Sequence, residues 1–247
     1  MLGVLTTVSA LAVANLLGYN SMAPRSQLFG RTFTGNGPES RQLALTFDDG
    51  PNDPDTLKLL EILDRHGVKA TFFMVGQHVT ARPKIAEEVA RAGHAIGNHT
   101  FTHPNLIFCS PAQVRLQLEA CERALTDAVG EHSRLFRPPH GGRRPSVLRA
   151  AHKAGLVTVM WRVAGVDWNS HPAAKIAARV GRRTRGGDVI LLHDGSHLGM
   201  GSNRSQTLVA TDSILRQHRD RGFQFVTIPE MMHASGTPAA PGCGGVG

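Results

Sequence analysis

The sequence predicts an α/β fold in which parallel strands alternate with helices. Short apolar or β-branched runs are followed by segments with the period of an amphipathic helix, and this alternation occurs seven times. Glycine directly follows four of the predicted helices, at Gly67, Gly93, Gly155 and Gly222, where a left-handed C-cap leads into the next strand. Such repeated units place their strands in parallel, either closed into a barrel or laid out as an open sheet.

Taken in chain order, each strand is predicted from a short apolar or β-branched run that ends at polar or turn-forming residues. The predicted strands span 43–47, 70–75, 94–97, 135–136, 156–161, 188–192 and 223–227. The helices are predicted from apolar residues three or four positions apart, as at Leu57, Leu60 and Leu63 in the first of them. The predicted helices span 56–66, 84–92, 112–129, 146–154, 174–182 and 207–221.

The composition excludes several classes of protein. The chain has 247 residues, of which 41% are hydrophobic, 19% charged and 5% aromatic, so it is not an acidic disordered chain, a coiled coil or a polytopic membrane protein. Lys and Arg number 27 against 19 Asp and Glu, and this charge of +8 favours anionic partners. A nucleic-acid partner is not expected, because Tyr19 is the single tyrosine and the basic residues are scattered. Thirteen histidines against three cysteines indicate imidazole chemistry rather than a disulfide scaffold.

The two ends of the chain differ from its centre. Residues 1–18 form an apolar segment that predicts a signal peptide or a membrane anchor, although no Lys or Arg precedes it, and a buried N-terminal helix is the alternative. This segment predicts an extracytoplasmic protein that is secreted or anchored to a membrane. Residues 19–40 are predicted to be a linker, residues 41–232 one domain, and residues 233–247 a flexible tail.

Polar residues that could take part in catalysis or metal binding follow the predicted strands, where barrel enzymes place their sites. Asp48 and Asp49 come directly after the first strand, and such adjacent carboxylates repel each other unless a cation or an arginine lies near. A capping turn, with Asp53 or Asp55 opening the next helix, would explain the same residues.

Two imidazoles follow the third strand. His99 and His103 are four residues apart, a spacing that puts both side chains on one face of a helical turn, although such a pair often arises by coincidence. Thr100 follows the first histidine, so the glutamate base of the zinc proteases is missing here and a base must come from elsewhere. Together with an aspartate from a neighbouring strand, the pair forms a two-histidine, one-carboxylate set that suits catalytic Zn²⁺ or a similar metal.

Further candidates follow the later strands. Arg137 is placed to pair with a carboxylate, and the proline and glycine residues around His140 would stiffen that loop and leave an N–H exposed. His193 ends a strand, and a carboxylate beside it would keep it protonated as a general acid. A structural role would explain each of these residues taken alone.

The residues TFDDG (46–50), HTFTH (99–103), RPPHG (137–141), VDW (166–168) and LLH (191–193) resemble the five ordered motifs of the polysaccharide deacetylases, the NodB-like family 4 carbohydrate esterases. The resemblance covers residues 41–232. It implies that this region is a catalytic domain with a distorted (β/α) barrel of seven or eight mostly parallel strands. It also implies metal-dependent removal of N- or O-acetyl groups from sugars.

The same resemblance implies a divalent metal and its ligands. The ligands would be Asp49, His99 and His103, and the metal Zn²⁺, with Co²⁺, Ni²⁺ or Fe²⁺ as alternatives.

The remaining roles also come from the resemblance. Asp48 would be the catalytic base and His193 the general acid, with Arg137 orienting the base and Asp167 tuning the acid. Trp168 and Leu191 would line the acetyl pocket.

The chain departs from the family pattern at two positions. His140 stands where the family usually has a tyrosine, although the backbone N–H at this position is what is implied to donate to the oxyanion. Ala164 stands where the fourth motif usually has a second aspartate.

We therefore expect a hydrolase that removes N-acetyl groups from polysaccharides containing N-acetylglucosamine, such as peptidoglycan or chitin-type oligomers. An O-acetyl esterase of xylan type and a non-catalytic glycan-binding homologue are the alternatives. The expected partners are the acetylated polysaccharide and an anionic cell envelope, with the membrane contacted only through the N-terminal segment.

Two weaker expectations concern the remaining histidines and the cysteines. Six further histidines are expected to face solvent: His66, His78, His132, His152, His218 and His233. Cys109 and Cys121 could pair, which would leave Cys243 unpaired.

Overall fold

The computed structural model describes residue 13 and residues 15–236 of the chain. Its strands, in chain order, are β1 (Gln42–Asp48), β2 (Thr71–Met74), β3 (Ala95–Asn98), β4 (Leu135–Phe136), β5 (Val157–Thr158), β6 (Val163–Ala164), β7 (Val189–His193) and β8 (Gln224–Phe225). Its helices are α1 (Asp55–Arg65), α2 (Gly76–Ala81), α3 (Pro83–Arg91), α4 (Pro111–Val129), α5 (Pro145–Lys153), α6 (Ala173–Arg183), α7 (Ser205–Asp220) and α8 (Ile228–Ala234). Before β1, residues 15–22 are helical.

The strands form one parallel sheet in the order β5-β4-β3-β2-β1-β7-β6, and β8 pairs with β1. Because every paired strand runs in the same direction, the carboxyl ends of the strands meet at one edge. The sheet curls into a half-barrel with the helices around it. The predicted distorted (β/α) barrel of mostly parallel strands is thus confirmed.

The first strand shows why the sequence takes this fold. All of β1 except Gln42 is buried, as expected for a parallel strand that is covered on both faces. Successive side chains point to opposite faces, so Leu45 and Phe47 join one apolar cluster, whereas Ala44 packs in another with Phe73. The ring of Phe47 stacks on that of Phe72, with 5.3 Å between centroids, and so ties β1 to β2.

The predicted helices and strands lie within a few residues of their observed positions, but three elements are not predicted. Strand β6 has only two residues, too few for any period to show. Helix α2 follows directly on β2 and is six residues long. Helix α8 did carry a signal, because Thr227 and Glu230 form a capping box at its start.

Residues 19–40, for which the sequence predicts a linker, pack against the barrel in part. Phe33 forms a parallel bridge to Val159, and Gly35 an antiparallel bridge to Asp188. Arg143, which is 1% exposed, donates to the carbonyl oxygens of Ala23 (2.6 Å) and Ser26 (2.8 Å). The guanidinium of this buried arginine therefore fastens the chain before β1 to the loop after β4.

The prediction of a membrane anchor is wrong for the part of the chain that the structure describes. No helix among residues 13 and 15–236 is long and apolar enough to cross a membrane. Residues 1–12 and 14, which include most of the predicted signal or anchor, lie outside the described residues, as do residues 237–247 of the predicted tail. The part of the predicted localisation that rested on a membrane anchor is therefore wrong as well.

Two further expectations are wrong. Cys109 and Cys121 are both free thiols, and Cys121 is buried. His78 and His218, expected to face solvent, are 4% and 0% exposed. His78 lies under the site, where its Nδ1 is 3.0 Å from the carbonyl oxygen of Asp49.

Candidate active site

The site lies at the carboxyl ends of four strands. Strands β1 and β7 end at Asp48 and His193, and these two residues are register partners in the sheet. Strands β3 and β4 end directly before His99 and Arg137. The parallel order of the sheet therefore gathers residues from distant parts of the sequence at one edge.

Asp49, His99 and His103 form a candidate metal site. One ligand atom of each lies within 4.8 Å of the others, and Asp49 Oδ1 is 3.4 Å from His99 Nε2 and 3.2 Å from His103 Nε2. Asp49 Oδ1 is buried and has no hydrogen-bond partner among the described residues. An unpaired buried carboxylate oxygen facing two imidazole nitrogens is what a divalent cation would satisfy, so the donor set fits a metal.

Further contacts hold these three candidate ligands in the form that would bind a metal. The Nδ1 of His99 is 2.8 Å from the carbonyl oxygen of Arg137, which leaves Nε2 free to face Asp49. Burial lowers the pKa of His103 to about 4, so its imidazole is neutral at neutral pH. Burial raises the pKa of Asp49, but the imidazoles of His103, His197 and His99 outweigh it and hold that pKa well below its usual range.

The loop that carries the two histidines is not the helical turn that their spacing suggested. Thr100 and His103 both have positive φ, at 67° and 58°, so the chain bends sharply. The side chain of Asn98 accepts a hydrogen bond from Thr100 N–H (2.8 Å), and the Thr100 hydroxyl accepts one from His103 N–H (3.1 Å). The loop therefore brings the histidines together through its own short polar side chains.

Asp48 is held by a fully buried arginine. Arg137 is 0% exposed and donates to Asp48 Oδ1 at 2.7 Å and to the Thr46 hydroxyl at 2.8 Å. Its guanidinium lies over the ring of Phe73, 4.1 Å from the centroid, and it also donates at 3.3 Å to the carbonyl oxygen of Val159. These contacts satisfy Arg137 without a carboxylate at position 164, where this chain has alanine.

His193 and Asp167 form a second acid–base pair. His193 Nδ1 is 2.9 Å from Asp167 Oδ1, and the His193 backbone N–H donates to Asp167 Oδ2 at 2.8 Å. The Thr207 hydroxyl also donates to Asp167 Oδ2, at 2.9 Å. Burial lowers the pKa of His193, but the Asp167 carboxylate outweighs it and raises that pKa to about 9. His193 is therefore protonated at neutral pH.

The two residues predicted to line the acetyl pocket differ in their exposure. Leu191 is 2% exposed and sits in β7 beside Thr46. Trp168 is 46% exposed, and its ring is perpendicular to that of His193, with 5.2 Å between centroids. Leu191 is therefore buried, whereas Trp168 is open to solvent.

Backbone strain is concentrated at this edge of the sheet. In the described part of the chain, six non-glycine residues have positive φ: Asp49, Thr100, His103, His140, Val166 and Ser170. All six lie in the loops that carry the motif residues or directly beside them. Such conformations are uncommon outside glycine, and their clustering is typical of a functional site.

Two glycines let the loops after β1 and β7 touch. A Cβ on Gly50 would lie 2.2 Å from Asp194 Oδ2, and a Cβ on Gly195 would lie 2.2 Å from the carbonyl oxygen of Asp49. Both distances are far below van der Waals contact, so the close approach that positions Asp49 requires glycine at both positions.

Sequence reasoning missed His197 as a residue of the site, whereas Asp194 is the carboxylate that follows His193 directly in the sequence. The His197 backbone N–H donates to Asp49 Oδ2 at 3.3 Å, and the His197 ring stacks on that of His103, with 4.5 Å between centroids. A signal was present, because His197 follows His193 by four residues, the spacing that identified the first histidine pair. Asp194 accepts a hydrogen bond from the Thr56 hydroxyl at 2.5 Å, and burial raises its pKa to about 7.

Known proteins share both the sequence and the fold. Residues 35–159 match the family model for polysaccharide deacetylase. The chain is 37% identical over 218 residues to a peptidoglycan-N-acetylglucosamine deacetylase of Bacillus cereus, with 87% of this chain and 77% of the relative covered. It is 35% identical to a chitooligosaccharide deacetylase of a Bradyrhizobium species, with 78% and 91% covered.

Solved structures with the same fold are also similar to this chain in sequence. An acetyl xylan esterase from Clostridium thermocellum in complex with a cobalt ion superposes with a TM-score of 0.73 at 34% identity, covering 81% of this chain and 94% of that one. A CE4 family pseudoenzyme from Bacillus anthracis superposes with a TM-score of 0.76 at 29% identity, covering 82% and 69%. By the extent and identity of these matches, the chain belongs to the polysaccharide deacetylase family.

Proposed function

We propose that this chain hydrolyses the N-acetyl groups of N-acetylglucosamine units in peptidoglycan or chitin-type oligomers. The observation that carries the proposal is the grouping of a candidate base, a candidate acid and a candidate metal site at one edge of the sheet. The Asp48–Arg137 pair and the His193–Asp167 pair both adjoin Asp49 and its two histidines. The names of the two curated relatives supply the substrate class.

Asp49, His99 and His103 would hold the metal. A mixed set of two imidazoles and one carboxylate suits Zn²⁺, and Co²⁺, Ni²⁺ or Fe²⁺ would accept similar donors. When bound, the cation supplies a Lewis acid that lowers the pKa of a coordinated water and polarises a carbonyl group.

Asp48 acts as the general base. Its Oδ1 is fixed by Arg137, while Oδ2 lies 3.7 Å from His99 Nε2 and so faces the candidate metal site. That oxygen accepts the proton of the attacking water. The hydrogen bond from Arg137 orients the Asp48 carboxylate for that proton transfer. The His140 backbone N–H donates to the oxyanion that forms on the acetyl carbon, a contact of the kind that contributes about 3 kcal/mol.

His193 acts as the general acid. An amine is a poor leaving group unless it is protonated, so cleavage of an amide needs a donor that carries its proton at neutral pH. The Asp167 carboxylate keeps His193 in that state. The ring of Trp168 packs against that of His193. Trp168 and Leu191, which precedes His193 by two residues in β7, would line the pocket for the acetyl methyl group.

Removal of O-acetyl groups is a second candidate, because one structure with the same fold is named an acetyl xylan esterase. Without protonation, an alkoxide leaves more readily than the anion of an amine, so ester cleavage depends less on His193. Loss of His193 would therefore reduce release from amides more than release from esters.

Acetate release from an acetylated chitooligosaccharide, peptidoglycan and acetylated xylan tests the proposal, with each reaction run with and without a chelator. We expect release from the N-acetylated glycans that the chelator abolishes and added Zn²⁺ or Co²⁺ restores. Release from xylan alone would identify the esterase. Release from none of the three, with no metal bound by the purified protein, would indicate a non-catalytic homologue.

A further inference from the structure

A second group of histidines lies at the mouth of the candidate metal site. One ring nitrogen each of His103, His140 and His197 lies within 4.8 Å of the others. We propose that these three residues form an outer site for a second divalent cation, next to the inner site of Asp49, His99 and His103. Metal binding there does not require the chain to be a deacetylase, although it builds on the inner ligand set proposed above.

The free nitrogen of His103 is the first reason. His103 is 7% exposed, and its Nε2 faces Asp49 Oδ1 at 3.2 Å. Its other ring nitrogen, Nδ1, is buried and has no hydrogen-bond partner among residues 15–236. A buried imidazole nitrogen without a partner is destabilising unless something binds it. If Nε2 binds the inner ion, Nδ1 carries the proton of the imidazole. A second cation at Nδ1 would displace that proton to solvent, so that His103 bridges the two ions as an imidazolate.

The arrangement of the three rings is the second reason. The ring centroid of His103 is 4.7 Å from that of His140 and 4.5 Å from that of His197, and His140 lies 5.2 Å from His197. His140 reaches this position through a left-handed backbone with φ of 57°. Within the described chain its ring makes no hydrogen bond, and the proposed reaction uses only its backbone N–H. The His140 side chain is thus available as a ligand.

Charge and access also favour a cation here. The carboxylates of Asp48 and Asp49 lie beside the inner site and offset the repulsion between two dications. His140 is exposed and His197 half-buried, so an ion can enter from solvent. Three imidazoles with no oxygen donor select Zn²⁺, Co²⁺ or Ni²⁺ over Mg²⁺ and Ca²⁺.

The number of bound ions tests the proposal without any substrate. Tag-free protein is stripped of metal, dialysed against increasing Zn²⁺ and analysed for bound zinc per chain. We expect the unaltered protein to bind two equivalents. His140→Tyr and His197→Phe each keep an aromatic ring but remove the ligand nitrogen, and each should bind the second equivalent at least about tenfold more weakly. His152→Ala, at an exposed histidine on α5, is the matched control and should bind two.

A further variant separates the two sites. His99→Ala removes one inner ligand and leaves the three outer histidines in place, so this variant should retain one equivalent of zinc. The double variant with His197→Phe should lose that equivalent. Binding of a single equivalent by the unaltered protein would overturn the proposal. So would a second equivalent that survives in either ring-conserving variant, or a complete loss of zinc in His99→Ala. Because no glycan is present, these outcomes are independent of whether acetate is released.

Discussion

Asp48 and His193 are register partners on the neighbouring parallel strands β1 and β7. The candidate base and the candidate acid therefore lie side by side at the edge of the sheet, although they are 145 positions apart in the sequence. Arg137 holds Asp48, and Asp167 holds His193. The same pair of strands therefore presents a proton acceptor and a proton donor at the same edge of the sheet.

Replacing Asp48 with asparagine should remove the base and keep the metal. Asp48→Asn preserves size but cannot accept the proton of water, so kcat for acetate release should fall by about 10² to 10⁴-fold. Zinc content should stay unchanged, because Asp48 is not one of the three candidate ligands. Equal rates for the variant and the unaltered protein would refute the assignment of Asp48 as base.

The activity should fall in alkaline solution as His193 loses its proton. The pKa of this group is raised from 6.5 to about 9, so kcat/KM should decline above pH 9. In Asp167→Asn the carboxylate that offsets the effect of burial is missing, so the pKa of His193 should fall. The decline in kcat/KM should then begin at lower pH. Asp212→Asn, which disrupts an ion pair on α7, is the control. A pH profile that is the same for both variants would contradict this account.

Adding one methyl group at Gly195 should disturb the metal site. In Gly195→Ala the new Cβ would meet the carbonyl oxygen of Asp49 at 2.2 Å, so the two loops must move apart. We expect weaker zinc binding and loss of most of the activity, measured by metal titration and acetate release. Gly181→Ala, in helix α6, meets only the flexible side chain of Gln217 and should leave both unchanged. Unaltered zinc affinity in Gly195→Ala would show that the loops tolerate separation.

The buried Arg143 should contribute to stability through the segment before β1. Arg143→Ala leaves the carbonyl oxygens of Ala23 and Ser26 without their donor, and we expect a loss of about 3 kcal/mol in the free energy of unfolding. Urea denaturation measures this loss, and proteolysis between residues 15 and 40 should become faster. Arg149→Ala on α5 is exposed and should change stability by less than about 0.5 kcal/mol. A similar small change for both variants would mean that the segment is held by other contacts.

The barrel and the residues of the five motifs could be predicted because their signals are local. The helices show their periodicity within a dozen residues, and each motif follows its strand directly. Strand β6 could not be predicted in this way, because Val163 and Ala164 are strand only through their pairing with β7. The bridge from Phe33 to Val159 likewise joins residues with no local pattern in common.

The site was predictable to the level of its motifs, and less so beyond them. His99 and His103 were identified from a helical spacing, yet they converge through a strained loop. His197 belongs to the same cluster, but no strand precedes it directly. Its backbone N–H reaches the Asp49 carboxylate only because the fold places the two loops side by side. In the sequence Arg143 lies in a polar stretch that gives no sign of burial. It is buried because it contacts Ala23, more than a hundred residues earlier in the chain.

The left-handed residues around the site set a limit on how this protein can be stabilised. Each of these conformations costs about 1 to 3 kcal/mol, which the rest of the fold must supply. Glycine at Thr100 or Val166 would relieve part of that strain in the folded protein. It would also free the backbone that aims His103 or Asp167. Substitutions at these positions should therefore raise thermostability and lower turnover together. We expect selection for heat resistance to favour them only where selection for catalysis is relaxed.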